Sequence, residues 1–395
     1  MQFEFSTQQQ MMFDRFAELG RQAAASAGQH DAAGSFDRDT WQRLADAGLW
    51  RIPVPVALGG LGGTWADCAA AMEGVATTAE DLGFLVTMLG HIGSLRIILE
   101  DGTPAQQARW LEPIMRGDVG VTAMTEATGG SDLARMRVAA TPDGSSWRLD
   151  GEKVHITNAP IAALGMIAGR IPSLGAKRDI TLFFVDLDQE GITIGETEDN
   201  LGIRTSPTAN IRFDGARLDP INIVGKPGDG LSALYRIIAF ERALYGIMAA
   251  GLIENMIAKA MARVEARMAF NRPLADYQYV QGRISDMKIA SVVCRLLTYA
   301  GLEKLSAGSE DASIVCSVGK FLAGEKLLEA AEHLVQLHGH LGYMNNDLSR
   351  HLRDAVGMRI AGGTSDIQRI NIFNQMRQQH ARRWANDTPQ TVAAE

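Results

Sequence analysis

Glu241 is the side chain whose surroundings in the sequence give it chemistry to do. It stands in LSALYRIIAFERALYGIMAAG, where Leu234, Ile237, Ile238, Leu244 and Met248 recur at helical spacing and mark an inward-facing stripe. Glu241 falls on that stripe, one turn from Ile237, Ile238, Leu244 and Tyr245. A carboxyl among aliphatic neighbours is partly desolvated, which favours its neutral form and raises its pKa toward the range of a general base. Arg242 is rotated about 100° around the helix and reaches the same pocket from its flank. The stripe alone leaves a second reading open, a buried Glu paired to an Arg of another helix.

Other chemistry-bearing residues are less well placed. HLVQLHGHLGY presents His333, His338 and His340, but the last two flank a glycine and no acidic residue lies at a ligand-like interval, so no metal site is expected. Ser131 in TGGSD lacks the G-x-S-x-G setting of a hydrolase nucleophile. RIAGGTSDIQR sets Gly362 and Gly363 before Thr364, Ser365 and Asp366; glycine offers backbone N–H groups at close range and no acid–base group. Cys68, Cys294 and Cys316 are far apart in apolar context and read as buried reduced thiols.

The elements that must hold these residues fall into three regions. Residues 1–118 carry helical apolar periodicity, as in Met88, Leu89, Ile92, Leu95 and Ile98. Its Pro/Gly break, PVPVALGGLGGTW, does not have dinucleotide-fold spacing. Residues 119–230 change texture: WRLDGEKVHIT, DITLFFVDL and NIRFDGARL are short β-branched and aromatic runs separated by turn residues, an antiparallel β domain. Residues 231–395 return to helix, opening with a proline-free run of roughly 40 residues through Phe270 and continuing over 279–306, 312–339 and 360–385. The expected fold is α+β and multidomain: a helical N-terminal domain, a middle β domain and a C-terminal four-helix bundle.

A formal charge of −8 excludes a face-wide cationic surface for nucleic acid. The N-terminal residues carry no arginine run, and no stretch of about 18 uninterrupted apolar residues occurs, so neither leader nor membrane span is expected and a reducing cytoplasm is the natural compartment.

Six stretches in order resemble the flavin-dependent acyl-CoA dehydrogenase family over nearly the whole chain. They are TAMTEATGGSDLA, LDGEKVHITNA, LGIRTSPTANIRFDGARL, ARMAFNRPLADYQYVQGRISDMK, QLHGHLGY and LRDAVGMRIAGGTSDIQR. The resemblance implies bound FAD, an acyl thioester substrate on CoA or a carrier protein, a homotetramer or homodimer, and electron-transfer flavoprotein or oxygen as acceptor. It places Met124, Thr125, His155 and Thr157 at the flavin ring. Arg267, Phe270 and Gln278 would hold pyrophosphate and adenosine across a subunit contact, with Gln336 and Gly339 from a neighbour. Thr364 and Asp366 would complete the cofactor cradle, and Ser131 would touch the pantetheine. Arg242 and Gly363 would line the substrate.

In many members of that family the residue before GTS is the catalytic glutamate; here it is Gly362. Members resembling isovaleryl- and long-chain acyl-CoA dehydrogenases and prolyl-carrier-protein dehydrogenases place the base in the long helix, directly before an Arg or Lys. Glu241 is the matching position, so motif and apolar stripe select the same residue. Gly362 would then give its N–H to the thioester oxygen, and its missing side chain would open room for a branched, cyclic or substituted acyl group. HITNAPIA followed by GGTSDIQ, with Asn374 in place of an arginine, is similar to carrier-protein enzymes. Two rivals stand beside this reading: a flavin-dependent monooxygenase on the same fold, and a catalytically silent paralogue.

Overall fold

The computed structural model describes residues 4–175 and 179–387. The N-terminal region is helical: α1 (Thr7–Ala33), α2 (Arg38–Asp46), α3 (Trp65–Ala79), α4 (Leu82–Glu100) and α5 (Pro104–Met115). Capping explains most of their starts. Ser6, Thr64 and Thr103 each accept from the third helical N–H and close a capping box, while Asp37 and Asp81 accept in the same way. By length and composition α4 is apolar enough to cross a membrane, but most of its surface is buried inside the protein, as in a central core helix.

The middle region is a sheet of β1 (Val119–Ala123), β2 (Ala139–Asp143), β3 (Ser146–Thr157), β4 (Ala162–Arg170), β5 (Ile180–Asp186), β6 (Ile192–Ile194), β7 (Thr208–Leu218) and β8 (Ile223–Val224). Its order is β6-β7-β3-β2-β4-β5-β8, with β1 joining β4 in parallel. Pairing is otherwise antiparallel except for the single β2–β4 step. The unbroken apolar run of β5 is buried on both faces: Leu182 and Phe184 join the core shared with the helices, Phe183 and Val185 the sheet's own core.

The C-terminal region holds α6 (Gly230–Ala266), a two-stranded hairpin of β9 (Met268–Ala269) and β10 (Arg272–Pro273), then α7 (Gln278–Ser306), α8 (Ala312–His338), α9 (His340–Tyr343), α10 (Asp347–Met358) and α11 (Ser365–Asp387). Helices α6, α7, α8 and α11 form the bundle, with α8 packed against the other three. Two expectations are corrected here. The long helix stops at Ala266, because Phe270 (φ 48°) and Asn271 (φ 66°) both take left-handed backbone and form the tight turn of the hairpin. The last helix begins at Ser365, not 360, because Gly362 (φ 67°) and Gly363 (φ 92°) hold a turn that separates it from α10. All three cysteines are buried and unpaired.

Candidate active site

Glu241 lies where α6 crosses α4. Leu234, Ile237, Leu244 and Met248 are buried around it as the stripe requires, while Glu241 itself keeps a partly exposed edge. Its carboxyl is pressed against the backbone of α4: a Cβ built on Gly93 would lie 2.3 Å from Glu241 Oε1. Only glycine at 93 leaves room for the carboxyl in that position. Burial pushes its pKa up to about 8, with the charge of Arg242 pulling weakly the other way. Among the described residues Glu241 has no hydrogen bond and no ion pair. The reading of a Glu neutralised by an Arg of another helix is therefore not what the fold builds.

Arg242 points to the other flank. Its Nη1 donates at 3.4 Å to Ser317 Oγ on α8, which also accepts from Asn371 Nδ2 at 2.7 Å. Its Nε is enclosed without a partner, and its Nη2 would lie 3.5 Å from a Cβ on Gly363. The loop that carries the two glycines is fixed from below. Gln368 Nε2 donates to the carbonyls of Gly362 and Gly363, at 3.2 and 2.9 Å. Glu325 accepts from Ser365 Oγ and Arg359 Nε at 2.6 and 2.9 Å. Buried Lys320 reaches the Arg359 carbonyl at 3.4 Å.

Gly362 does not open the space expected of it. A Cβ built there would meet Tyr245, 2.6 Å from its hydroxyl and 2.8 Å from its ring. Tyr245 sits one turn beyond Glu241 on α6 and is 4% exposed, so its phenol fills the volume that a side chain at 362 would take. The room for a branched acyl group that the sequence led us to expect beside Gly362 is occupied. Sequence reasoning passed over Tyr245 as a stripe residue; its spacing from Glu241 was visible, its meeting with Gly362 was not.

A second group is built on the sheet. Met124 and Thr125 follow β1 and are held by β3: Lys153 Nζ donates to the Met124 carbonyl at 3.1 Å, and Val154 N–H to the Thr125 carbonyl at 2.9 Å. Lys153 is fully buried and pairs with Glu126 at 2.8 Å, whose carboxylate also accepts from the backbone of Arg137 and Val138. Thr157 ends β3 opposite Thr208. His155 is exposed at φ 56°, beside a register shift of β3, and its Nδ1 meets Glu198 at 2.8 Å. Ser131 is exposed in the loop after β1.

The third group stands apart. Arg267, Phe270, Gln278, Gln336, Gly339 and Asp366 are exposed on the helical region, and no hydrogen bond or ion pair joins them to Glu241 within the chain. Thr364 caps α11, its hydroxyl accepting from Ile367 N–H at 3.3 Å. Asp366 pairs with Arg369. The Arg267 guanidinium has no carboxylate partner among the described residues, and the side chains of Gln278 and Gln336 make no hydrogen bonds there. Phe270 is 92% exposed although its backbone is left-handed, a conformation that costs a bulky residue free energy. Among the described rings it meets Tyr277 edge-on, with centroids 6.5 Å apart.

Comparison with known proteins shows the family. Three family models cover almost the whole chain: the N-terminal domain of acyl-CoA dehydrogenases over residues 6–118, the middle domain over 121–216 and the C-terminal domain over 228–376. The chain belongs to the acyl-CoA dehydrogenase family. The human mitochondrial short-chain specific acyl-CoA dehydrogenase is 31% identical over 352 residues, 89% of this chain and 85% of that protein. Among solved structures, the prolyl acyl carrier protein oxidase AnaB superposes with a TM-score of 0.90 at 26% identity, over 94% of this chain and all of that one. An FAD-dependent dehydrogenase does so with a TM-score of 0.88 at 25% identity, over 95% and 100%.

This acyl-CoA dehydrogenase family member is accordingly an oxidoreductase acting on CH–CH groups, and its cofactor is FAD. The residues present fit that cofactor. Arg267 offers a guanidinium without an ion-pair partner among the described residues, suited to phosphate oxygens, Phe270 an aromatic ring 92% exposed, and the Met124–Thr125 segment a backbone fixed by a buried ion pair.

Proposed function

We propose that the chain removes the α and β hydrogens of a short acyl thioester, with Glu241 as the base at Cα. The observation that carries this is the unpaired, desolvated carboxyl lodged against Gly93. A carboxyl whose pKa is raised is the stronger base once it is ionised, as proton abstraction beside a carbonyl requires. FAD, when bound, supplies the acceptor for the β-hydride. Gly362 N–H faces the thioester oxygen, Arg242 and Gly363 wall the reacting end, and Ser131 meets the pantetheine arm.

Met124, Thr125, His155 and Thr157 serve the flavin ring, while Arg267, Phe270, Gln278, Gln336, Gly339, Thr364 and Asp366 serve the rest of the cofactor. Because the exposed group makes no contact with Glu241 in one chain, we assign it to a cofactor shared between copies in a homodimer or homotetramer. The apolar residues Phe270, Tyr279, Tyr343, Ile370, Phe373 and Met376, all more than half exposed, support such an assembly. Light scattering of the purified protein checks it. The thioester carrier is CoA or a carrier protein; similarity to a short-chain CoA enzyme and to a carrier-protein oxidase supports each.

The test is anaerobic mixing of the FAD-loaded protein with short acyl thioesters on both carriers. Loss of the flavin's visible absorbance with at least one of them, abolished in Glu241→Gln, is the expected result. A protein that stays yellow with every thioester but hydroxylates a substrate in air would return the monooxygenase reading.

A further inference from the structure

Tyr245 is a polar residue that the reading of Glu241 as base leaves unused. Its hydroxyl makes no hydrogen bond with any described residue, although the side chain is 4% exposed. The ring is buried, but the hydroxyl is not among the fully enclosed polar atoms left without a partner, so it opens onto space that solvent or a ligand reaches. Its polar neighbours are engaged elsewhere: Arg242 donates to Ser317, Lys320 donates to the Arg359 carbonyl with its Nζ 5.6 Å from the ring centre, and the Gly362 and Gly363 carbonyls accept from Gln368. Glu241, the acceptor one turn back on the same helix face, makes no hydrogen bond with it. The hydroxyl is therefore free to donate to a ligand.

The position says which acceptor. The hydroxyl oxygen stands 2.6 Å from where the Cβ of residue 362 would be, beside the backbone N–H that the proposed function directs at the thioester oxygen. A ligand oxygen held by that N–H would be bound at the residue the phenol abuts. Resting on that function, we infer that the Tyr245 hydroxyl is a second donor to the thioester carbonyl oxygen, acting beside Gly362 N–H. As Glu241 takes the α-proton, the C–H electron pair moves toward that oxygen and negative charge grows there. Tyr245 donates a hydrogen bond to it and keeps its own proton. Burial and the nearby Glu241 hold the phenol protonated, so it stays a donor throughout. This gives the Gly362–Tyr245 meeting a purpose: glycine at 362 admits the phenol that works beside it.

The experiment uses the FAD-loaded protein and thioesters, on CoA and on a carrier protein, with sulfur in place of the β-carbon, which can lose an α-proton but have no β-hydride to give. Mass spectrometry follows exchange of their α-hydrogens in deuterium oxide. Tyr245→Phe should slow exchange about 100-fold, the scale of one lost donor at a developing oxyanion. FAD content should be kept, and the thermal midpoint without thioester should be unchanged or raised, because the removed hydroxyl had no protein partner. Exchange within about threefold of wild type overturns the inference, as does a lowered midpoint, which would mean that the hydroxyl is bonded within the fold. Exchange lost in Glu241→Gln but intact in Tyr245→Phe sinks this inference alone. No exchange by wild type takes the proposed function down with it.

Discussion

Glu241→Gln separates a base from a structural carboxylate by its effect on stability as well as on turnover. The fold raises the carboxyl from an ordinary 4.5 to about 8. That corresponds to about 5 kcal/mol against the ionised form, reduced to ~3 kcal/mol by solvent at its open edge. The sign follows from the folded value being the higher one. Glu241's contribution is fully present below pH 4.5 and is lost as pH rises through about 8. Glutamine has no proton to lose and nearly the same shape. Wild type and Glu241→Gln should therefore match near pH 5, and by pH 9 the variant should be more stable by about 2–3 kcal/mol.

Thermal and denaturant unfolding of the FAD-loaded proteins from pH 5 to 9 reads this directly. Flavin reduction by thioester should rise with pH in wild type and level off near pH 8, and fall by roughly 10²–10⁴-fold in the variant. Parallel stability curves would mean that the carboxyl is paired or hydrated in solution. The base would then have to be sought elsewhere, whatever the loss of turnover.

Gly93→Ala should keep the fold at a cost of about 1–3 kcal/mol and lower flavin reduction severely, since its Cβ would fall 2.3 Å from Glu241 Oε1; Glu241→Asp in the same background should recover part of the loss by withdrawing the carboxyl. Gly362→Ala meets both the left-handed backbone and Tyr245, so a loss of about 2–4 kcal/mol is expected by denaturant unfolding, of which adding Tyr245→Leu should return only the steric share. Lys153→Met strands the buried Glu126 carboxylate and should cost about 3–5 kcal/mol, with FAD released more readily on dilution because Met124 and Thr125 lose their support. Phe270→Gly removes strain at φ 48°; the chain should unfold at a higher denaturant concentration without FAD and hold FAD more weakly.

Much of this was legible in the sequence because it is periodic. The stripe on α6 placed Glu241 on the buried face, and the alternating and continuous apolar runs marked the sheet. What the sequence hid was set by single backbone torsions. Phe270 and Asn271 turn the chain into a hairpin where the proline-free run reads as helix through Phe270, and α10, capped by Asn346, falls between the helical stretches read at 312–339 and 360–385. Steric exchange across the fold is invisible too. Gly362 read as vacancy, and only the crossing of α6 beneath the α10–α11 turn shows it to be filled.

The same crossing explains why a carboxyl on α6 needs glycine at two distant places. A base on the helix must enter the space between α4 and α6, where a Cβ on α4 would strike it; Gly93 removes that Cβ. The turn that holds the acid in many relatives must then present nothing that competes for the same α-hydrogen, and Gly362 satisfies that condition. An empty socket at 362 would admit water beside a carboxyl whose usefulness depends on being dry, pulling its pKa back toward 4.5. Tyr245 fills the socket with a ring, so the Gly362–Tyr245 meeting protects the raised pKa of Glu241 as well as shaping the pocket. Shrinking Tyr245 to alanine should therefore lower the pH at which flavin reduction levels off, by at least one pH unit, even though residue 241 is untouched. A plateau that stays near pH 8 in that variant would show that α4 alone keeps the carboxyl dry.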